Sequence, residues 1–315
     1  MTNRLGLIGC VGVNLTFLDG YWGKMDEISG NLVVFGGGHG LAKVLAALAP
    51  LEQRLTAVVA TTDNGGSTGR LRDEFGGIAW GDLRHCLESL VPADSVGRLL
   101  LNHRFQGSGT LAGHSLGNLM LLGLNELCVE PEDAIAVLAG MLGVQSHLLP
   151  MSAQTTELAA EDHTGQIIVG ETQIDALSSP PKRLFLMPEV DTSPALLDTI
   201  EQADWLVLGP GSVLTSIMPA LLIPAIRHAV NNSSAKLILI DNLQPEAGTL
   251  QHWQPHEIHR WMAEQIGRQP DAILHHGCQS QQGHHYFWPL SNQPKAGHEP
   301  MALRMALTQI VTDLC

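Results

Sequence analysis

The sequence predicts an α/β protein: a three-layer, Rossmann-like sheet that is mostly parallel, with a small β-rich excursion. Short apolar runs bounded by turn residues alternate with helical patterns along most of the 315 residues. Glycine-rich turns at 36–40, 62–70 and 209–212 each follow such an apolar run. Because open α/β sheets bind ligands at the carboxyl ends of their strands, these turns also mark the expected site.

The individual elements are assigned from apolar runs and from helical periodicity. The predicted strands are Leu32–Phe35, Thr56–Ala60, Gln166–Val169, Leu184–Met187, Trp205–Leu208, Leu237–Ile240 and Ala272–Leu274. The predicted helices are Leu41–Ala49, Asp82–Leu90, Val96–Arg104, Ser115–Leu127, Asp133–Leu142, Pro194–Gln202, Val213–Val230, His256–Ile266 and Met301–Leu314. Pro219 and Pro224 are expected to kink or divide the helix at 213–230.

Three stretches depart from this alternation. Residues 145–192 combine strand-like runs with glycines and Pro180-Pro181, which predicts the β-rich excursion. Residues 277–300 are rich in Gln, His, Gly and Pro and predict a long loop. Residues 1–24 are interpreted as an extension outside the core, with one domain over 25–315. Their apolar run is interrupted by Asn14 and Asp19 and has no A-x-A site, which argues against an export signal.

The composition limits the classes of molecule that the protein is expected to bind. A net charge of −14 argues against nucleic acid or an anionic membrane as the main target. No apolar stretch reaches the roughly 18–20 residues of a membrane span. The five cysteines show no C-x-x-C pairing, as expected of reduced thiols in a cytoplasmic protein. A homodimer is compatible with this composition.

The first glycine turn is the main candidate for phosphate binding. A helix is predicted to begin just after it, and its exposed N–H groups and dipole attract anions. The ligand-binding candidates here are Gly37, Gly38, His39 and Gly40. The alternative is a tight turn that binds nothing. Asp63 lies about 25 residues beyond Gly38, where a dinucleotide fold places its ribose-binding carboxylate.

The second turn is followed by arginines in a chain that has only 17 basic residues. Planar guanidinium groups suit phosphate or carboxylate ligands. The alternative is that these arginines form structural ion pairs with neighbouring acids. The candidates in this region are Asn64, Gly65, Gly66, Arg70, Arg72, Asp82 and Arg84.

A third glycine-rich stretch, 107–118, formally contains the G-x-S-x-G pattern of serine hydrolases. That motif requires a strand leading into the serine, and a polar glycine loop leads into Ser115 instead. We therefore interpret Ser115 or His114 as the cap of a helix. His114 and Asn118 would lie one turn apart on the same side and face the ligand.

The later turn repeats the design of the first. Gly209, Gly211 and Ser212 follow a predicted strand and would complete a cleft with the first two turns. The alternative is a sharp connection without a ligand. The histidines at 252–285 lack the H-E-x-x-H pattern and cysteines at ligand spacing, so no metal site is assigned to them.

Five ordered motifs together resemble the CofD-like superfamily, and within it most closely the YvcK-like gluconeogenesis-factor branch. They lie at 35–41, 62–72, 81–84, 111–119 and 208–212, and the resemblance covers about residues 31–260. It extends to Asn242 in the segment 242–249, which matches the branch's pattern only in part. Asn64 stands where the branch commonly has a second acid, which weakens the case for a two-carboxylate magnesium site.

The resemblance implies two functions. The YvcK-like branch consists of bacterial proteins that bind UDP-sugars, support growth on gluconeogenic carbon sources and influence cell shape. It implies a binding protein for a nucleotide sugar, with no certain cofactor. The other branch consists of magnesium-dependent 2-phospho-L-lactate transferases that use a nucleotide-linked donor. In that alternative Asp63 is the candidate catalytic residue, which holds magnesium or orients the acceptor hydroxyl.

Overall fold

The computed structural model describes residues 28–246 and 248–315, so the predictions for residues 1–24 lie outside the described residues. The main sheet has eight strands. They are β1 (Leu32–Gly36), β2 (Leu55–Val59), β3 (His147–Pro150), β7 (Trp205–Leu208), β8 (Lys236–Ile240), β9 (Ala272–His276), β10 (Ser280–Gln282) and β11 (His285–Trp288). Their order is β10-β11-β9-β8-β7-β1-β2-β3, and among these described strands β10 and β11 form the one antiparallel pair.

The strand order reverses direction between β1 and β7. The chain runs from β1 outward through β2 to β3, then returns to β7 and runs outward on the other side through β8 and β9. Such a switch point leaves a crevice at the carboxyl ends of the two central strands. The glycine turns at 36–40 and 209–212 follow these two strands, so the fold brings them to the same crevice.

Helices cover both faces of the sheet. They are α1 (Gly38–Leu48), α2 (Gly66–Phe75), α3 (Trp80–Leu90), α4 (Val96–Asn102), α5 (Leu116–Asn125), α6 (Pro131–Met141), α7 (Glu171–Asp175), α8 (Pro194–Glu201), α9 (Met218–Leu221), α10 (Pro224–Asn232), α11 (Pro255–Ile266) and α12 (Pro300–Leu314). Alternate residues of β1 serve opposite cores: Leu32 and Val34 pack with α1, α3 and α12, whereas Val33 and Phe35 pack with α8 to α11. This period of two confirms the three-layer prediction.

The segment 145–192 forms the predicted excursion. A three-stranded antiparallel sheet contains β4 (Glu157–Glu161) between β5 (Ile167–Val169) and β6 (Arg183–Met187). Leu158, Leu184 and Leu186 pack into the second core and attach this sheet to the main body. The same segment also supplies β3, which was not predicted from the sequence and which forms an edge of the main sheet.

Two local features differ from the sequence-based prediction. The predicted loop at 277–300 contains β10 and β11, because residues 285–288 pair in parallel with β9 and bury Tyr286 in the core. The second glycine turn leads directly into α2, a helix that was not predicted because most of its residues are polar. The predicted break at 213–230 is confirmed: a π-helical turn at Val213–Ile217 precedes α9, and Pro224 starts α10.

Among the described residues, no single helix is long and apolar enough to span a membrane. One bent pair, Val213–Leu221 with Pro224–Asn232 at 83°, meets the length and composition criteria together.

Candidate functional site

The crevice at the switch point holds a cavity of about 480 Å³. The turns after β1 and β7 line it together, as the sequence predicted. Gly40 is packed so closely on the second of these turns that a β-carbon there would overlap the carbonyl oxygen of Pro210. The peptide N–H of Gly211 donates to Asn242 Oδ1 at 3.0 Å, and Asn242 Nδ2 donates back to the Gly211 carbonyl at 2.9 Å. Asn242 therefore fixes the shape of the turn after β7.

Three helices begin at this cavity. α1 starts at Gly38, α2 at Gly66 and α3 at Trp80, whose next residues Gly81 and Asp82 line the cavity. Gly38 and Gly66 have φ angles of 55° and 48°, which L-residues other than glycine adopt only with strain. Helix N-termini present unpaired N–H groups and a partial positive charge. Their convergence makes this cavity suited to phosphate groups.

Four carboxyl groups line the same cavity: Asp63, Asp82, Glu171 and Asp175. Asp82 accepts a hydrogen bond from the Gly38 N–H at the start of α1. Asp63 Oδ1 accepts from Gly65 N at 2.8 Å, and Glu171 Oε1 accepts from Thr62 Oγ1 at 2.6 Å. The carboxyl groups are thus held by the backbone of the glycine turns and their neighbours.

Burial and mutual repulsion change how these acids ionise. Burial, with the Asp63 carboxylate as the next cause, raises the pKa of Asp82 from 3.8 to about 7. Burial also raises the pKa of Glu171 well above its usual value, with Asp82 and Asp63 adding to the shift. Asp175 has a pKa raised by burial. A cluster of perturbed acids in a cleft is typical of a functional site.

Two arginines bring positive charge to the cavity wall. Arg84 is buried, and its Nε donates to Asn118 Oδ1 at 3.1 Å while its Nη1 pairs with Glu88 at 3.3 Å. Burial lowers the pKa of Arg84, and the positive charge of Arg104 lowers it further. Arg104 donates to the Gly113 carbonyl at 3.1 Å. Two guanidinium groups held near each other form a site that an anion would stabilise.

Most of the residues predicted from the sequence meet in the crevice. Those that line its cavities are Gly37, Gly38, His39, Gly40, Asp63, Gly65, Gly66, Asp82, Arg84, Asn118, Gly211, Ser212 and Asn242. The others lie behind or beside the wall: Asn64, Arg70, Arg72, His114 and Gly209.

The two arginines outside the cavity have structural contacts. Arg72 is buried and donates to the carbonyls of Thr62, Asp63 and Thr156, as well as pairing with Glu157 at 2.6 Å. Arg70 donates to the Ala112 carbonyl at 3.0 Å. Arg72 thus supports the second glycine turn from behind, whereas Arg70 joins α2 to the loop at 107–114. The one ion pair that Arg72 forms is with Glu157, on β4, and not with the acids that neighbour it in sequence.

The helix start at 115–118 is confirmed. Ser115 caps α5 by accepting from Asn118 N at 3.4 Å, and its hydroxyl donates to the Leu101 carbonyl. Ser67 Oγ forms hydrogen bonds with His114 Nδ1 at 3.0 Å and with Asn118 Nδ2, which donates, at 3.5 Å. Of the predicted pair, Asn118 lines the cavity and His114 lies one layer behind it. Burial and the nearby Arg70 lower the pKa of His114.

Several lining residues were not singled out from the sequence. Arg104 follows a helix in a polar stretch, and Glu171 and Asp175 belong to the short helix α7 beside the small sheet. Nothing in their local pattern identified them. Asp175 and Glu171 reach the crevice because α7 packs on the π-helical turn that follows β7.

A larger cavity of about 800 Å³ adjoins the first. The two share His39, Gly40, Asp175, Gly211 and Ser212, so they form one cleft along the switch point. Glu246 lies on this wall, where its carboxylate accepts from Val213 N at 2.8 Å and from Asn242 Nδ2 at 3.1 Å. Burial raises the pKa of Glu246 to about 7.

The donor set at Asp63 and Asp82 fits a magnesium ion that also binds substrate phosphates. Mg²⁺ prefers oxygen ligands and is commonly held by one or two carboxylates together with phosphate oxygens. The parts of the chain that the structure describes contain no group of three or more His, Cys, Asp and Glu residues arranged to hold a metal ion by themselves. A cation here would therefore arrive with, and be completed by, a phosphorylated ligand.

Comparison with known proteins agrees with the motifs. The family model for 2-phospho-L-lactate transferase CofD matches residues 32–310. A "Putative gluconeogenesis factor" of Pasteurella multocida is 44% identical over 245 residues, covering 78% of this chain and 79% of the relative. The "Gluconeogenesis factor" of Bacillus subtilis is 36% identical over 223 residues, covering 70% of each.

A solved structure shares the fold. The crystal structure of protein BH3568 from Bacillus halodurans superposes with a TM-score of 0.75 at 34% sequence identity, covering 81% of this chain and 82% of the other. The family match covers most of the chain, and the matched region includes every glycine turn of the cleft. The chain belongs to the CofD family and is similar, within it, to the gluconeogenesis factors.

Proposed function

We propose that the protein binds a nucleotide sugar, of the UDP-sugar type, in the cleft at the β1–β7 switch point. The single observation that carries this proposal is the convergence of three helix N-termini with Arg84 and Arg104 on one cavity. A diphosphate matches this arrangement because its oxygens can accept from several N–H groups and two guanidinium groups at once. The uridine and the sugar come from the resemblance of the sequence motifs to the YvcK-like branch, and the relatives' names support only membership of that branch.

The proposal extends to the role of the protein in the cell. As a gluconeogenesis factor it would act in the cytoplasm as a binding and regulatory protein that reports a nucleotide-sugar level to carbon metabolism and cell-shape control. The names of the relatives support the metabolic part of this role.

Calorimetric titration tests the ligand class. UDP-N-acetylglucosamine should bind, whereas NAD and GTP should bind at least tenfold more weakly. Arg104→Met should weaken UDP-N-acetylglucosamine binding because Arg104 contributes to the cavity wall. Arg260→Met is the matched control, since Arg260 is exposed on α11 and lines neither cavity of the cleft. Absence of binding of all three nucleotides at millimolar concentration would exclude the proposal.

A second candidate is a transferase that moves a phosphoester group from a nucleotide-linked donor to a hydroxyl acceptor. The observation that favours it is the pair of interacting carboxyls, Asp63 and Asp82, beside the phosphate-binding helix ends. These two would hold magnesium, which supplies positive charge to neutralise the transferring phosphoryl group. Arg84 and Arg104 would stabilise charge on the leaving phosphate.

Nucleotide release distinguishes the two functions. The protein is incubated with nucleotide-linked donors, magnesium and small hydroxy acids, and free nucleotide is measured. Turnover that Asp63→Asn abolishes would establish the transferase. Binding without release across donors would leave the regulatory function as the better account.

A further inference from the structure

Three neighbouring helices present an exposed apolar surface. Leu101 of α4, Leu121 of α5 and Leu138 of α6 are buried in the same core, so the opposite sides of these helices face solvent on one side of the sheet. α4 packs on α5 and α5 on α6, and a β-carbon at Gly97 of α4 would overlap Leu142, which follows α6. We term this surface the α4–α6 face. Its most exposed apolar side chains are Val96, Leu99, Leu100, Leu127, Val137 and Met141.

Charged residues are nearly absent from these helices. α5 contains none, and those of α6 are confined to its first turn. The one charged residue of α4, Arg98, pairs with Glu88 of α3 at 3.5 Å. The acids of this region lie at the ends of the helices, where they would form a polar rim: Asp94, Glu126, Glu130, Glu132 and Asp133. An apolar centre with a polar rim is the usual composition of a protein–protein interface.

Two exposed glycines on this face have no explanation within the chain. Gly123 lies in α5 and Gly140 in α6, and neither has a positive φ angle. A β-carbon at either position would enter open space, whereas at Gly117 of α5 it would overlap Arg84. Because glycine weakens a helix relative to alanine, neither conformation nor packing inside this chain favours glycine at 123 and 140. Close approach of another molecule would favour it.

The extent of the face suits a protein partner. Val96, Leu99 and Met141 are each about 70% exposed. The six most exposed side chains together present on the order of 600 Å², the upper end of the apolar patches found on monomers. Each partner of a standard interface buries about 800 Å². The partly exposed Leu119 and Met120 of α5 extend the face towards that area.

We propose that the α4–α6 face binds a second copy of this chain, which makes the protein a two-fold symmetric dimer. The face carries both parts of a self-complementary contact: projecting leucines on α4, and low surface at Gly123, Ala136 and Gly140 on α5 and α6. In a two-fold dimer the same patch serves both copies, so the projections of each can pack on the low surface of the other. The inference does not depend on the ligand of the cleft.

The net charge of the protein also restricts how two copies can meet. With a net charge of −14 on each copy, contact between acidic surfaces would be repulsive. The α4–α6 face avoids this repulsion at its centre and leaves only the acids of its rim to be screened. We therefore expect the dimer to become tighter as sodium chloride is added, which is opposite to an interface held by ion pairs.

Sedimentation velocity and light scattering of the full chain test this inference at low and at high micromolar concentration. The wild type should have twice the monomer mass. Leu99→Glu and Met141→Glu should each raise the dissociation constant by about thirtyfold or more, as at interface hot spots. Both side chains are exposed in the single chain, so the circular dichroism spectrum should not change. Gly123→Gln should also weaken the dimer, through bulk and without a charge.

Met301→Glu is the matched control. Met301 is an apolar side chain of α12 that is 48% exposed, and α12 packs on α1 and β11 rather than on the helices of this face. This variant should remain as dimeric as the wild type.

Three results would overturn the inference. The first is a wild-type protein that stays monomeric at high micromolar concentration. The second is a dimer that Leu99→Glu, Met141→Glu and Gly123→Gln all leave intact, which would place the interface elsewhere. The third is a monomer that sediments with neutral phosphatidylcholine vesicles and loses this binding in Leu99→Glu, which would assign the face to a membrane surface.

Discussion

Replacement of Asp82 by asparagine should make the protein more stable. Asp82 lies at the start of α3 and faces the start of α1, and burial together with Asp63 raises its pKa from 3.8 to about 7. Because an acid with a raised folded-state pKa binds its proton more tightly in the folded protein, stability falls as the pH rises through this interval. Asparagine keeps an oxygen that accepts from the Gly38 N–H, and it carries no charge to bury.

The size of the effect follows from the two pKa values. The interval from 3.8 to about 7 corresponds to about 4 kcal/mol at 1.36 kcal/mol per pKa unit. Asp82→Asn should therefore exceed the wild type in free energy of unfolding by about 2 kcal/mol at pH 5 and about 4 kcal/mol at pH 8. The gain is lost at low pH, where Asp82 is protonated in both the folded and unfolded states.

Urea unfolding at pH 5, 6, 7 and 8 measures this difference, with the slope m compared to exclude a change in the denatured state. Asp271→Asn is the control of opposite sign. The pKa of Asp271 lies below its usual value: burial raises it, but the Leu237 N–H and Lys236 lower it by more. Replacing the Asp271 carboxylate should therefore destabilise the folded protein. An Asp82→Asn protein that is less stable than wild type at pH 8, or whose advantage does not grow with pH, would refute the reasoning. A charged group in a cleft that destabilises the folded protein indicates that the residue was selected for function.

The remaining predictions distinguish residues that contact the ligand from residues that stabilise the cleft behind them. Gly40→Ala should lower the melting temperature through a clash of about 1–3 kcal/mol. Gly38→Ala should cost a similar strain of about 1–2 kcal/mol and should also weaken UDP-sugar binding, so an unchanged UDP-sugar affinity in Gly38→Ala would contradict this. Arg72→Met should reduce the free energy of unfolding in urea by about 3 kcal/mol, because buried carbonyls lose their donor, and a change below about 1 kcal/mol would argue against a supporting role. Asn118→Ala should reduce ligand affinity about tenfold, or about 1.4 kcal/mol, as measured by calorimetry. His114→Ala should lower the melting temperature and leave the affinity unchanged. The reverse pattern would show that His114 contacts the ligand and that Asn118 supports the fold.

The parts of the site that were predictable are those with a local signature. A glycine cluster after an apolar run marks a strand-to-helix turn, and this pattern predicted that Gly38 and Gly211 lie in the cleft, where both are found. Ser115 likewise revealed a helix start through its capping chemistry. In each of these cases the feature depends on residues adjacent in sequence.

Residues that depend on long-range packing could not be found in this way. Glu171 reaches the cavity because α7 packs against the turn after β7, and this contact joins segments about 40 residues apart. Asn64 stands where an acid was expected, yet the fold brings a second carboxyl next to Asp63, that of Asp82 at the start of α3. The hairpin at 280–288 was missed because β10, at the edge of the sheet, is an exposed polar run of three residues and β11 is only four residues long, so neither strand has a long apolar run.

The structure of the complex with UDP-N-acetylglucosamine would test the central claim most directly. The diphosphate should lie at the β1–β7 switch point, within hydrogen-bond distance of the peptide N–H groups that begin α1 and of the Arg104 guanidinium. The sugar should extend into the adjoining cavity of about 800 Å³. A diphosphate bound away from the 36–40 and 209–212 turns would contradict the account.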